Sequence, residues 1–200
     1  MAYRDFKMTD LKAKFGIVEV GTNLFDPTKI KQKEPSQSLI GKLADAQFIT
    51  LSTEKAVSEQ LVAPVIVELA KLNDFVQVFS GEIIVADKKL GLNGELDFVI
   101  ARKPWTRKPE NPLLCVTESK LGLINSGVDQ ATAQMLGLRV FNQNQGYEEN
   151  IIHGAVTDGT SWRFLKLEGK TLFIDLTVYS TEKLPLLLGV LQEIVNFYKK

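Results

Sequence analysis

Residues 91–120 read GLNGELDFVIARKPWTRKPENPLLCVTESK, and this stretch decides the fold. ELDFVIA follows the turn-prone GLNG and predicts a β-strand carrying Asp97. PLLCVTESK is apolar enough to predict a second, buried strand that ends in Glu118 and Lys120. Side chains alternate along a strand, so Glu118 and Lys120 share one face, with Leu114 and Val116 behind them and Cys115 on the opposite face. Charges at the end of an apolar face need partners. Two carboxylates that converge with a lysine make a site for a hard divalent cation such as Mg²⁺.

The chain has 200 residues, 44% hydrophobic and 24% charged, which suits one folded unit and excludes a disordered chain. No apolar run approaches the roughly 20 residues that cross a membrane. MAYRDFKMTDLKAKFG lacks the apolar centre of a signal peptide, and one cysteine leaves no disulfide framework and no cysteine-based zinc site. A cytoplasmic protein with no membrane partner is the expectation. The formal net charge is zero, so binding to nucleic acid would need a local patch of cations.

Residues 53–72, TEKAVSEQLVAPVIVELAKL, predict a helix with Thr53 as its cap and an apolar stripe of Val57, Leu61, Val65, Leu69 and Leu72. Pro64 should kink or split it. Helical phase puts Glu54 on the apolar face and Glu68 at its edge, with Glu59 on the far side. Glu54 is then either a ligand or an ordinary first-turn acid facing the helix dipole. Residues 76–102 predict a hairpin that brings Asp97 forward. The following loop, RKPWTRKPENP, holds Arg102, Lys103, Arg107 and Lys108 around Trp105. It reads either as a phosphate-contacting patch with Trp105 free to stack on a base, or as a solvated loop with Trp105 folded onto the core. A helix from about Val128 places Gln130 and Gln134 one turn apart. A meander IIHGAVT, SWRFLKL, TLFIDLTV and a final helix complete a chain of α/β (α+β) class. His153, alone in an apolar strand, reads as a core residue.

The order Asp97, then Glu118-Ser119-Lys120, resembles the PD-(D/E)XK nuclease superfamily, with Leu96 in place of the usual proline. Thr53-Glu54 followed by Leu61-Val62-Ala63-Pro64 is similar to the opening helix of the N-terminal nuclease domain of type I restriction-enzyme R subunits and their stand-alone relatives. Thr157-Asp158-Gly159 with Trp162 and Phe164 is similar to the strands that follow the glutamine helix there. The likeness covers about residues 53–165.

This resemblance implies a restriction-endonuclease-like domain over residues 51–200, a central mixed sheet flanked by helices, with residues 1–50 as an extension packed on or beside it. It implies Mg²⁺ or Mn²⁺ held by Asp97, Glu118 and the helix acid Glu54; Glu59 and Glu68 are the fallbacks for that helix acid. Lys120 would act on the phosphate or water and Gln130 would line the site. Gln134 stands where many relatives have tyrosine. The implied activity is hydrolysis of DNA phosphodiester bonds, and the resemblance leaves room for a homodimer. A G-x-x-x-x-G-K-[ST] loop is absent, so any motor or specificity component would be another protein. The alternatives are a non-catalytic member of the fold that binds nucleic acid or a protein, and a plain α/β domain whose Asp97, Glu118 and Lys120 form a structural ion-pair cluster.

Overall fold

The computed structural model describes residues 2–109 and 112–199, and for Cys115 and Val116 the backbone alone. The strands are β1 (Val18–Thr22), β2 (Val76–Asp87), β3 (Leu92–Arg102), β4 (Leu113–Ser119), β5 (Ile151–Thr157), β6 (Ser161–Glu168) and β7 (Thr171–Ser180). Among the described residues they form one seven-stranded mixed sheet in the order β1-β7-β6-β5-β4-β3-β2. The β2–β3–β4 and β5–β6–β7 runs are antiparallel, with no helix of the described residues between their consecutive strands. The β4–β5 pair is parallel, so the chain must cross over between them, and helix α5 (Val128–Asn144) is that crossover; its number follows the four helices before it.

Those four are α1 (Met8–Phe15), α2 (Gln37–Asp45), α3 (Glu54–Val57) and α4 (Ala63–Lys71), and α6 (Leu184–Phe197) closes the chain. Helices cover both faces of the sheet. On one face, Ala131, Met135 and Leu138 of α5 pack with Val99, Val156 and Leu165. On the other, Ile66 and Leu69 of α4 and Leu187 and Leu191 of α6 pack with Phe98, Ile100 and Phe164. No helix of the described residues is long and apolar enough to cross a membrane.

Helix α5 is buried on nearly every side from Ala131 to Leu138. A helix at a surface would show one polar face, and this one lacks it because a second layer covers its outer side. That layer is the N-terminal segment. Tyr3, Phe6 and Leu11 are each at most 1% exposed and belong to the α5-side core. The Met8 backbone N–H donates to Asp129 Oδ2 at 3.1 Å, in the first turn of α5. Strand β1 then continues the sheet beside β7. Residues 2–22 are thus part of the packed unit.

The lone histidine sits as the apolar strand predicted. His153 is buried, its Nδ1 is 2.7 Å from the Tyr198 hydroxyl, and burial pushes its pKa down to about 4, helped by Lys166.

Tyr3 depends on a glycine. A Cβ on Gly137 would lie 2.6 Å from Cε1 and Cζ of the Tyr3 ring. Replacing glycine by alanine inside a helix ordinarily gains about 1 kcal/mol. Overpacking a rigid core costs about 1–3 kcal/mol, and a fully buried ring has nowhere to move. Gly137→Ala should therefore be net destabilising in urea denaturation. A variant as stable as the parent, or more so, would mean that Tyr3 is not seated there.

Candidate functional site

Two irregularities in adjacent strands set the site. In β3, Leu96 belongs to the α5-side core, while Phe98, two residues on, belongs to the other. A regular strand would keep both on one side. Opposite this point, between the pairs Ser80–Phe98 and Glu82–Leu96, lies Gly81 with φ +67°, a conformation that glycine adopts without strain. The strand turns there, at Asp97. In β4, Ile100 pairs with Cys115 but Ala101 pairs with Leu113, so Leu114 is an extra residue. The bulge reverses the alternation. Leu114 packs on the α4/α6 side, whereas Glu118 reaches α5, so the expected shared face of Leu114 and Glu118 does not form. Leu113 takes the α5 side instead. Asn142 of α5 holds it, donating to and accepting from the Leu113 backbone at 2.8 Å each. The expected placement of Cys115 and Val116 concerns side chains outside the described residues.

With Phe98 opposite Thr117, the register sets Asp97 beside the end of β4. The Ser119 backbone N–H donates to Asp97 Oδ2 at 2.7 Å. Glu118 is 2% exposed and has two partners. Its Oε1 is 2.8 Å from Lys120 Nζ, and its Oε2 accepts from Gln134 Nε2 at 2.6 Å. Lys120 Nζ also donates to Gln130 Oε1 at 3.2 Å and lies 3.8 Å from Glu54 Oε1. The expected convergence of Asp97, Glu118, Lys120 and Gln130 is therefore present. Gln134, which sequence comparison left in doubt, contacts Glu118 directly. The i, i+4 spacing of the two glutamines was its signal: Gln130 takes the lysine and Gln134 the glutamate.

These groups line a cleft of about 660 Å³. Glu54, Asp97, Glu118, Lys120 and Gln130 form one part of the wall, and Tyr3, Arg4, Ile83 and Glu95 another. Sequence reasoning missed the second group, because nothing local to residues 3 and 4 points to strand β3.

The helix expected over residues 53–72 is split. Thr53 caps α3 by accepting from Ala56 N at 3.1 Å. A π-helical turn, Ser58–Val62, follows, and α4 starts with Pro64 in its first turn. The wide turn accommodates a residue that has no N–H to donate. It also shifts the stripe, which runs through Val57, Val62, Val65, Ile66 and Leu69, leaving Leu72 46% exposed. Glu54 accordingly is not on a buried face; its side chain is 56% exposed at the cleft wall. Glu59 is exposed and pairs with Lys55 at 3.8 Å, a contact worth little in water. Glu68 is buried elsewhere: it accepts from the Ser36 backbone N–H and hydroxyl at 2.9 Å each, holding the start of α2. As a helix acid for the site, Glu68 is thus excluded.

The basic loop does not reach the cleft wall. It joins the far end of β4, and five residue steps along the strand lead from Leu113 to Glu118, about 17 Å. Arg102 turns inward to Glu149 Oε1 and the Tyr198 carbonyl, both at 3.2 Å. Lys103, Arg107 and Lys108 are exposed, and Trp105 is 70% exposed instead of folded on the core.

Burial dominates the electrostatics. Burial first, and then the neighbouring Asp97 carboxylate, raise the Glu118 pKa against the pull of Lys120 and Gln134, to a net value of about 7. Burial also raises Asp97, opposed by the Ser119 N–H and by Lys120. Burial works against the charge on Lys120, yet its pKa is raised, because Glu118 accepts its hydrogen bond and Glu118, Glu54 and Asp97 all favour the ammonium. The cleft thus has a protonated amine beside two carboxylates that lack sufficient counter-charge.

This deficit tests the fit of a divalent cation. Among the described residues no cluster of three or more His, Cys, Asp or Glu donors is arranged for a metal. Mg²⁺ commonly needs only one or two carboxylates, completing its octahedron with water and substrate oxygens. Asp97 and Glu118 have the right donor chemistry, and a cation would relieve the repulsion that raises Glu118.

The class defined by these elements is a mixed α/β protein with an acid–acid–lysine cluster, its Glu118 buried, at an open cleft. Compared with known proteins, the chain matches no protein-family model, and no curated protein matches it.

The raised Glu118 pKa has a consequence for stability. An acid whose pKa lies near 4.5 in the unfolded chain and near 7 in the fold binds its proton more tightly when folded. In chelator, stability should therefore fall as pH rises from about 4.5 to about 7, by up to about 3 kcal/mol. Glu118→Gln should flatten that slope in urea titrations across this range. An equal slope in both proteins would assign the pH dependence to other groups.

Proposed function

We propose that this protein is a metal-dependent nuclease that hydrolyses DNA phosphodiester bonds, with a restriction-endonuclease-like core of the PD-(D/E)XK kind. One observation carries the reading: Asp97, Glu118, Lys120 and Gln130, spread over 34 positions, line a single open cleft. A cluster serving stability alone would be closed to substrate. This one opens to solvent while keeping the Glu118 carboxylate buried.

Asp97 and Glu118 would hold Mg²⁺ or Mn²⁺. When bound, such an ion neutralises phosphate charge and acidifies water. The Ser119 N–H fixes the Asp97 carboxylate, and Gln134 fixes that of Glu118 through a short, charge-assisted hydrogen bond. Gln130 and Glu118 together orient the Lys120 ammonium. That ammonium stabilises negative charge developing on the phosphate oxygens, a preorganised contribution available without rearrangement. Glu54, at the wall near Lys120, has the position to accept a proton from an incoming water.

Asp97→Ala and Lys120→Ala should each lower cleavage of plasmid or single-stranded DNA in Mg²⁺ or Mn²⁺ by at least about 100-fold. Chelator should abolish the wild-type reaction. Equal cleavage by all three proteins would reveal a contaminant and end the proposal. Retention of DNA without cleavage by the wild type would favour a non-catalytic binding module instead.

A further inference from the structure

The cleft wall contains a cation that the acid–lysine cluster leaves unused. Four acids line it, Glu54, Glu95, Asp97 and Glu118, against two cations, Lys120 and Arg4. The Lys120 ammonium is already committed to Glu118, Gln130 and Glu54. The Arg4 side chain is 84% exposed, and its Nε lies 3.9 Å from Asp5 Oδ1, at the outer limit of an ion pair and worth little in water.

Arg4 is nevertheless held firmly at its backbone. Its two flanking anchors, Tyr3 and Phe6, are each 1% exposed. Tyr3 lies against Gly137 of α5 and Gly94 of β3, close enough that neither glycine accommodates a side chain without displacing it. The turn between the anchors is closed by Ala2 N–H to Asp5 Oδ2 at 2.7 Å and by Asp5 N–H to the Ala2 carbonyl at 2.9 Å. On this clamped turn, at the wall of an acid-rich cleft, only the side-chain rotamers of Arg4 remain to be ordered on binding, because its backbone is already fixed.

We propose that Arg4 is a substrate-binding residue of the cleft: its guanidinium grips a backbone phosphate of the nucleic acid, next to the one at Lys120, and the Tyr3 anchor positions it. This rests on the nuclease reading. A planar fork matches two phosphate oxygens at once, which an ammonium does not. In a chain of zero net charge whose basic loop lies at the other end of β4, Arg4 is a cation on the same cleft wall as the carboxylates.

The test uses the full chain and a short fluorescein-labelled DNA duplex, with binding read by anisotropy across a salt series. Lys120→Ala is the background, to suppress cleavage. Adding Arg4→Ala should weaken binding about 10-fold at low salt and reduce the slope of log K against log salt by about 0.9, the loss of one phosphate contact. Arg4→Lys should keep the slope and recover only part of the affinity. Gly137→Ala, which displaces the anchor, should reproduce the Arg4→Ala defect. In the otherwise wild-type protein, Arg4→Ala should raise KM more than it lowers kcat. Because Arg4 is exposed, its melting temperature should match the parent's. Unchanged affinity and slope in Arg4→Ala, or parental binding by Gly137→Ala, would overturn the proposal while leaving the nuclease reading intact if the wild type still cleaves. A wild type that neither binds nor cleaves DNA would end both.

Discussion

A buried carboxylate, Glu118, held near the half-buried carboxylate of Asp97 with one ammonium bonded to it, is the constraint on which the rest of this structure depends. Desolvating a carboxylate is costly, and placing a second one beside it adds repulsion. Glu118 shows both effects, with burial the larger. The fold answers with fixed dipoles: a backbone N–H for Asp97, and the Gln134 amide and the Lys120 ammonium for Glu118. Each of these partners comes from a different part of the β4–α5 crossover, so the sheet topology and the cluster cannot be separated. A crossover helix over a parallel pair is what brings two glutamines above the end of β4.

The same helix explains the architecture around it. Because α5 is covered on both sides at its centre, its residues from Ala131 to Leu138 are small or apolar except for Gln134, and Gly137 makes room for Tyr3. The N-terminal segment thereby becomes part of the cleft wall instead of a separate appendage. Zero net charge also makes sense on this scale. Acids and bases balance over the whole chain, but among the described residues of the cleft wall four acids face only Lys120 and Arg4.

Much of this was legible from residue order. The alternation of apolar runs gives the strands and helices, the turn residues separate them, and Asp97, Glu118, Lys120 and Gln130 are chemically conspicuous because charged or amide groups stand in or beside apolar elements. Three features were misplaced, each for a physical reason. The π-helical turn before Pro64 changes the helical phase, so Glu54 lies at the cleft wall with its side chain exposed instead of on a buried face, and Glu68 turns to Ser36. The bulge at Leu114 breaks strict alternation in β4. The basic loop looked close to the acids in sequence, but an extended strand carries its ends far apart.

The amino-acid sequence by itself determined the class of fold, the identity of the acids and the lysine, and the i, i+4 glutamine pair, because these follow from local periodicity and side-chain chemistry. Only the tertiary structure decided which charges meet: that Gln134 grips Glu118, that Arg4 joins the cleft wall, and that Arg102 turns away to Glu149. Those pairings depend on strand register, on a bulge and on a glycine notch, and each arises where distant segments pack against one another, beyond the reach of any local pattern.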